Sequence, residues 1–305
     1  MKFAIVGAGG VGGYFGARLA AAGEDVAFVA RGKHLAAITA DGLAVHSPAG
    51  ELQLPVRATD DPAQLGVVDY VLVCVKTWQL PDVIESIRPL VGPETAIVTV
   101  QNGVEAPDQV AKVYGQDAVL PGAAEVIAYV ESPGVIRHLG NGKLNFGEWD
   151  GGTTPRVERL RDAFAGAGLQ ATVPDDIWVA LWTKFLSVVP AGGLGTATGA
   201  GYGVLRKQPA TRQLLTEATA EIRDLARARG VQLAADVVDR TLDWIDQLPA
   251  DGTTSLQRDL IAGRPSELDA WTGAVVRLGR ESRVPTPINT LLFELASARV
   301  LATGN

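Results

Sequence analysis

The amino-terminal stretch constrains the fold more than any other part of the chain. It contains a short apolar run, a glycine-rich turn and an alanine-rich segment, followed by a second apolar run at Val26–Val29. The turn carries Gly7, Gly9 and Gly12 in the spacing G-x-G-x-x-G. Between a strand and a helix, the first glycine permits the tight turn, the second admits a pyrophosphate close to the backbone, and the third lets the helix pack on the strand. The unpaired N–H groups of the helix N-terminus favour the same anion.

This order of strand, glycines, helix and strand predicts a dinucleotide-binding unit. The alternative is a glycine-rich structural turn, since a chain with 35 glycines produces chance matches.

The residues after the second apolar run bear on the cofactor. An NAD site usually places Asp or Glu there, to accept a hydrogen bond from the ribose 2′-OH. This chain has Ala30-Arg31 instead. Arg31 can bind a 2′-phosphate through two charge-assisted hydrogen bonds, whereas a carboxylate would repel it. We therefore predict NADP(H) as the cofactor, with a solvated basic turn as the alternative.

Composition limits the classes of function. A net charge of −7 argues against a general nucleic-acid binder. The only cysteine, Cys74, excludes an internal disulfide and is consistent with a reducing compartment. The three histidines show no ligand spacing, so we expect no metal. The chain starts on a core strand and shows no apolar run of membrane-spanning length, so we expect neither a signal peptide nor a membrane span. We expect a cytoplasmic protein that acts on a small molecule and binds neither nucleic acid nor membrane. For its assembly we expect a monomer or a homodimer.

The secondary-structure pattern changes near residue 173. Before it, predicted strands alternate with helices or turns: 69–76, 95–100, 118–130, 135–139, 143–147 and 169–173, with a hairpin or two short strands at 43–56. After it, all predicted elements are helical: 175–189, 209–229, 234–247, 254–262, 266–282 and 287–301. We predict an α/β fold, with a Rossmann-type doubly wound sheet in residues 1–173 and an all-α domain in residues 174–305. The strands at 118–130, 135–139 and 143–147, with a glycine-rich turn at 140–142 between the last two, are expected to extend the main sheet in antiparallel fashion.

Polar residues follow two of these strands. Lys76 ends the strand at 69–76, and Asn102 follows the strand at 95–100. Ligands of open α/β sheets bind beyond the carboxyl ends of the strands, so both residues are candidate site residues.

The helical half contributes a lysine and a glutamate. Lys184 shares a predicted helix face with the apolar Ile177, Ala180 and Val188, where a buried ammonium is costly without partners. It is either a proton donor at a cleft floor or a lysine whose stem is packed and whose head reaches water. Glu267 is predicted in the first turn of a helix capped by Ser266 and Asp269, where simple complementarity to the helix dipole is the alternative to a site role.

Several stretches together resemble the ketopantoate reductase (2-dehydropantoate 2-reductase) family, from residue 1 to about 300. They are Gly7-Ala8-Gly9-Gly10-Val11-Gly12, Ala30-Arg31, Val75-Lys76-Thr77-Trp78-Gln79, Gln101-Asn102-Gly103, Leu181-Trp182-Thr183-Lys184, and Ser255-Leu256-Gln257 continuing to Glu267-Leu268-Asp269. The resemblance implies an NADPH-dependent reductase of a small 2-oxoacid, with a possible place in pantothenate biosynthesis.

The resemblance also assigns roles to residues. Lys184 and Glu267 would be catalytic, and Asn102 and Ser255 would bind substrate. The cofactor would be bound by Gly7, Gly9, Gly10, Val11, Gly12, Arg31, Lys76, Asn102 and Glu267.

One departure concerns the substrate. The family commonly places asparagines four and eight residues after the catalytic lysine, where this chain has Val188 and Gly192. Pro190 is also expected to interrupt the helix between them. One alternative is an oxidoreductase of the same family that acts on a different, less polar carbonyl or hydroxy substrate. Another is a non-catalytic NADP(H) sensor.

Overall fold

The computed structural model describes residues 1–303. The chain divides into two compact units. The first, here called the sheet unit, comprises Met1–Gln101 and Ala106–Ile177. The second, the helical unit, comprises Asn102–Glu105 and the chain from Trp178 onward. The predicted domain limit near 173 lies in the connection just before this division, and the short segment Asn102–Glu105 has no counterpart in the prediction.

The sheet unit contains eleven strands and five α-helices. The strands are β1 (Lys2–Val6), β2 (Asp25–Val29), β3 (Leu43–Ser47), β4 (Gly50–Leu54), β5 (Arg57–Thr59), β6 (Tyr70–Val73), β7 (Ala96–Thr99), β8 (Val119–Leu120), β9 (Gly122–Ser132), β10 (Val135–Phe146) and β11 (Gln170–Thr172). The helices are α1 (Gly10–Ala21), α2 (Gly32–Asp41), α3 (Leu80–Ser86), α4 (Ala106–Tyr114) and α5 (Pro155–Gly166).

The main sheet has six strands in the order β5-β2-β1-β6-β7-β8, all parallel. Side chains of β1 alternate between two apolar clusters: Phe3 and Ile5 enter one, and Ala4 and Val6 enter the other. Both faces of the sheet are thus covered, as a parallel sheet requires. The predicted Rossmann-type doubly wound sheet is confirmed.

A second sheet corrects most of the prediction for residues 118–147. Only β8, at the start of this range, extends the main sheet, and it pairs with β7 in parallel rather than in antiparallel fashion. The order of the second sheet is β11-β10-β3-β4, and β9 pairs with β10 in antiparallel fashion. The strands from β9 onward therefore do not extend the main sheet. The expected turn at residues 140–142 is a bulged part of the continuous strand β10, because register shifts flank it and Asn141 adopts a φ of 59°. An extra residue in a strand can be absorbed in this way without ending the strand.

The helical unit is all-α, as predicted. Its helices are α6 (Ile177–Thr198, whose first residue belongs to the sheet unit), α7 (Tyr202–Lys207), α8 (Pro209–Ala228), α9 (Val237–Gln247), α10 (Ser255–Ile261), α11 (Ala274–Ser282) and α12 (Pro287–Thr303). A π-helical turn, Asp269–Gly273, leads directly into α11.

The expected break of α6 at Pro190 is wrong. The helix continues through Pro190 to Thr198. A proline inside a helix costs about 3 kcal/mol, but Val189, Ala191 and Leu194 are all buried on either side of it. Tertiary packing of these apolar side chains outweighs the lost backbone hydrogen bond.

The same helix also departs from the expectation about apolar runs. Its 22 residues reach a mean hydropathy of 1.4 in the most apolar window, which is enough for a membrane span by length and composition. Of that window, 61% is buried inside the protein. A core helix passes the same test, so α6 by itself assigns no membrane location.

Candidate active site

The glycine turn between β1 and α1 has the geometry that its spacing predicts. Gly7 adopts a φ of +99°, and a Cβ placed there would lie 2.9 Å from Cγ1 of Val75. A Cβ at Gly12 would lie 2.1 Å from the carbonyl oxygen of Gly7 and 2.9 Å from Cβ of Cys74. The turn and the close packing of α1 on the sheet therefore both require glycine.

Gly9 and the start of α1 leave room for a ligand. Gly9 is the N-cap residue, no side chain caps the helix, and a Cβ at Gly9 would have nothing within 4 Å. An open backbone surface beside uncapped N–H groups fits a pyrophosphate. Gly10 has a packing reason instead, because its Cβ would lie 2.3 Å from the carbonyl oxygen of Ala128 in β9. Val11 follows it in the first turn of α1 and is half-buried.

Arg31 lies two residues beyond β2, at the N-cap of α2. Its side chain is exposed and makes no hydrogen bond or ion pair within residues 1–303. A free guanidinium at this position, with no carboxylate beside it in sequence, fits a 2′-phosphate. Lys76 follows β6, is half-buried, and places Nζ 5.7 Å from the ring centroid of Trp78.

Three of the predicted site residues meet in the helical unit. Nζ of Lys184 donates to Oδ1 of Asn102 at 2.8 Å. Nδ2 of Asn102 in turn donates to Oε2 of Glu267 at 3.2 Å. Glu267 is only 4% exposed and Lys184 is half-buried. The Asn102 amide thus links an ammonium to a buried carboxylate, which the sequence did not indicate.

Glu267 does not lie in a helix first turn as predicted. It precedes the π-helical turn, and no side chain of Ser266 or Asp269 caps that turn. The backbone N–H of Trp271 donates to the Glu267 carbonyl at 3.0 Å. A π-helical turn is uncommon and is found often at functional sites.

Arg277 on α11 connects the two segments that carry Asn102 and Glu267. Its guanidinium donates to Oε2 of Glu105 at 2.8 Å and to Oδ1 of Asp269 at 2.6 Å. Glu105 lies three residues after Asn102, and Asp269 lies two residues after Glu267. Arg277 therefore clamps both segments, and sequence reasoning missed it because nothing in the local pattern around it signals a partner.

The predicted substrate-side residue Ser255 is not joined to these three. It is the first residue of α10 and half-buried, and its hydroxyl makes no hydrogen bond within the described part of the chain. Ser255 thus retains its full capacity to donate to and accept from a ligand.

The face of α6 beyond Lys184 is apolar and closed at one position. Val188 is half-buried and Gly192 is buried. A Cβ at Gly192 would lie 2.8 Å from Cζ3 of Trp271 and 3.3 Å from Oγ1 of Thr254. The indole of Trp271, 2% exposed, occupies the space next to Gly192. The two residues are far apart in sequence, and no local pattern indicates this pairing.

Among residues 1–303, no group of three or more His, Cys, Asp and Glu side chains could hold a metal ion.

The chain matches known proteins over its whole length. The sequence profile of Ketopantoate reductase PanE/ApbA matches residues 3–151, and that of Ketopantoate reductase PanE/ApbA C terminal matches residues 176–300. The 2-dehydropantoate 2-reductase of Mesorhizobium japonicum is 34% identical over 323 residues, covering 99% of this chain and 98% of that protein.

Solved structures agree with the sequence matches. A PanE/ApbA family ketopantoate reductase from Ralstonia eutropha superposes with a TM-score of 0.92 at 30% identity, covering 100% of both chains. A D-mandelate dehydrogenase in ternary complex with NADH and anilino(oxo)acetate has a TM-score of 0.92 over 100% of both chains at 24% identity, a likeness of fold. The fold, the two matching profiles and these relatives show that the chain is an oxidoreductase that belongs to the ketopantoate reductase family.

Proposed function

We propose that this protein is an NADPH-dependent reductase of a small 2-oxoacid or related carbonyl compound. The observation that carries the proposal is the hydrogen-bonded chain from Lys184 through Asn102 to Glu267. A half-buried ammonium, held by a half-buried amide that itself donates to a buried carboxylate, is suited to proton donation. A non-catalytic NADP(H) sensor has no need of this arrangement.

Lys184 would act on the carbonyl oxygen of the substrate. When bound, NADPH would supply the hydride that reduces the carbonyl carbon. As the C=O π bond breaks, Nζ of Lys184 stabilises the negative charge on the oxygen and transfers a proton to it. The product is an alcohol, and Lys184 regains its proton from water. Asn102 directs Nζ through its Oδ1, and Glu267 offsets the cost of holding a cation in a partly dry site.

The cofactor would be bound by residues of the sheet unit. The backbone N–H groups at Gly9, Gly10 and Val11 would receive the pyrophosphate, with Gly7 and Gly12 shaping the turn. Arg31 would bind the 2′-phosphate, and Lys76 would contribute a further positive charge.

A less polar substrate than ketopantoate is the second candidate. Val188 and Gly192 offer no hydrogen bond, and Trp271 fills the space where a longer side chain at position 192 would lie. Two hydrogen bonds of about 1 kcal/mol each correspond to roughly thirtyfold in affinity. We therefore expect weak reduction of ketopantoate and a preference for a 2-oxoacid with an apolar substituent. A role in pantothenate biosynthesis would require the opposite result.

The function is tested by measuring NADPH oxidation with each member of a panel of 2-oxoacids, ketones and aldehydes. The reaction is monitored through the loss of absorbance of the reduced nicotinamide. Turnover of at least one 2-oxoacid is expected. Binding of NADPH without turnover across the panel would favour the sensor. A micromolar KM for ketopantoate, with turnover above that of other 2-oxoacids, would overturn the preference for a less polar substrate.

The test of the cofactor is Arg31→Asp. Losing one charged hydrogen bond is worth about 1.5–3 kcal/mol, or roughly tenfold to a hundredfold in affinity. Wild type should bind NADPH more tightly than NADH by that factor, and Arg31→Asp should remove or reverse the preference. Arg161→Asp, on α5 of the same unit, is the matched control and should leave it unchanged. Equal binding of both dinucleotides by wild type would refute the assignment.

A further inference from the structure

His34 joins the glycine turn to a second backbone turn of the sheet unit. It lies in the first turn of α2, and its Nε2 is 2.7 Å from the carbonyl oxygen of Ala8. Its Nδ1 accepts a hydrogen bond from the backbone N–H of Gly134 at 3.0 Å. A backbone N–H can only donate, so Nδ1 carries no proton. Nε2 therefore carries the hydrogen and donates it to Ala8.

The hydrogen bond to Ala8 also affects the orientation of Gly9, the next residue of the glycine turn. The carbonyl of Ala8 and the N–H of Gly9 belong to one planar peptide group. A hydrogen bond that fixes the direction of this carbonyl also fixes the direction of the Gly9 N–H, since the two point to opposite sides of a trans peptide. Gly9 is the residue whose Cβ would meet open space.

The other side of the imidazole has a rigid support. Gly134 lies between β9 and β10 with a φ of +80°. Its carbonyl accepts from the backbone N–H of Ala44 in β3 at 2.9 Å. A Cβ at Gly134 would lie 3.1 Å from Cβ of Ala37 in α2, so the turn packs directly on the helix that carries His34. Because Nδ1 of the imidazole is fixed at Gly134, Nε2 holds the carbonyl group of Ala8 in one direction.

We propose that His34 is a positioning residue for dinucleotide binding, which orients the Ala8–Gly9 peptide group toward the pyrophosphate. This inference rests on the proposed function, because it assumes that the turn binds a dinucleotide. It differs from the role of Arg31, since a pyrophosphate is common to NADPH and NADH and a 2′-phosphate is not.

Three substitutions separate the two hydrogen bonds. His34→Leu removes both. The amide of Gln can reach the place of Nε2 and donate to Ala8, whereas the amide of Asn can reach only the place of Nδ1 and accept from Gly134. The dissociation constants of NADPH and NADH are measured by fluorescence titration, and thermal unfolding confirms that each variant is folded.

The expected order of affinity is wild type, then His34→Gln, then His34→Asn and His34→Leu together. The last two should bind both dinucleotides about tenfold more weakly, which corresponds to about 1.4 kcal/mol. His46→Leu is the control, because His46 contacts Glu131 on the surface and should bind both cofactors as wild type does. At saturating NADPH, kcat of the His46→Leu control should equal that of wild type.

Three results would overturn the inference. One is a folded His34→Asn that binds as tightly as His34→Gln. Another is a loss confined to NADPH, which would place His34 at the 2′-phosphate. In the third, wild type binds both dinucleotides and no variant differs from it. A wild type that binds neither dinucleotide would instead refute the proposed function, and the inference with it.

Discussion

Gly192 allows a quantitative test of whether the Trp271 indole fills the space beside the α6 face that carries Lys184. Alanine in place of glycine inside a helix normally stabilises by about 0.5–1 kcal/mol, because the unfolded chain loses less conformational freedom. At Gly192 the added Cβ would lie 2.8 Å from Cζ3 and 3.0 Å from Cε3 of Trp271. These atoms belong to a rigid, buried ring that cannot simply rotate away as a flexible side chain would.

Overpacking of this kind costs about 1–3 kcal/mol. The helix gain of about 0.5–1 kcal/mol offsets part of this cost, so we expect Gly192→Ala to destabilise the protein by up to about 2.5 kcal/mol. Gly192→Asn should cost more, because it adds a polar amide to the same closed space. Reinstating the asparagine that the family commonly has at this position should therefore fail to improve ketopantoate reduction.

The assay is urea unfolding followed by circular dichroism, with the midpoint compared at constant m-value. Gly166→Ala on α5 is the matched control, because a Cβ there would have nothing within 4 Å; it should be neutral or stabilising. Trp271→Phe in the background of Gly192→Ala should restore part of the loss, giving a coupling of at least about 0.5 kcal/mol. A Gly192→Ala variant as stable as wild type would show that the indole yields, and that position 192 is open to a side chain.

Further predictions concern the helical unit. Lys184→Ala should fold and bind NADPH but lose turnover by roughly a hundredfold to ten-thousandfold, and full activity in steady-state assays would exclude it from the mechanism. The double variant with Glu267→Ala should lose little more than Lys184→Ala alone, as residues acting as a unit do; additive losses would mean that Glu267 contacts the substrate independently. Arg277→Ala should cost at most about 1 kcal/mol in stability, because the pairs are partly exposed, yet lower kcat without changing the dissociation constant of NADPH. A change in that constant with kcat intact would contradict the clamp. Ser255→Ala should raise the KM of a 2-oxoacid by roughly fivefold, equivalent to about 1 kcal/mol, while a raised KM for NADPH instead would contradict its placement.

The parts of the structure that the sequence predicts well depend on local rules. The strand, turn and helix at residues 2–21 follow from apolar spacing and from glycines whose substitution the backbone forbids, as the geometry at Gly7 and Gly12 shows. The change near residue 173 from alternating strands and helices to helices only also follows from the spacing of apolar residues along the chain. These signals are contained within a few turns of chain, so a single sequence displays them.

The parts that failed depend on contacts between distant segments. Pro190 was expected to end α6, but buried apolar neighbours on both sides keep the helix intact. Glycines around Asn141 suggested a turn, but pairing with β9 along the whole of β10 turns the irregularity into a bulge. Lys184 and Asn102 are 82 residues apart in sequence, and Asn102 and Glu267 are 165 residues apart. No local pattern indicates that these three residues are hydrogen-bonded.

Membership of a family and choice of substrate rest on different residues of this chain. The lysine, amide and carboxylate that would handle the carbonyl oxygen are present and hydrogen-bonded to one another. In the proposed reaction these groups act on atoms that every 2-oxoacid shares, so their presence does not distinguish one substrate from another. Discrimination requires groups that a wrong substrate leaves unpaired, and at Val188 and Gly192 this chain has none. The indole of Trp271 fills the space next to Gly192. This part of α6 can therefore select a substrate only by its shape and its apolar contacts. A relative that is 34% identical therefore supports the type of reaction more strongly than the identity of the substrate. Measuring activity across apolar and polar 2-oxoacids would establish the substrate independently of the reaction type.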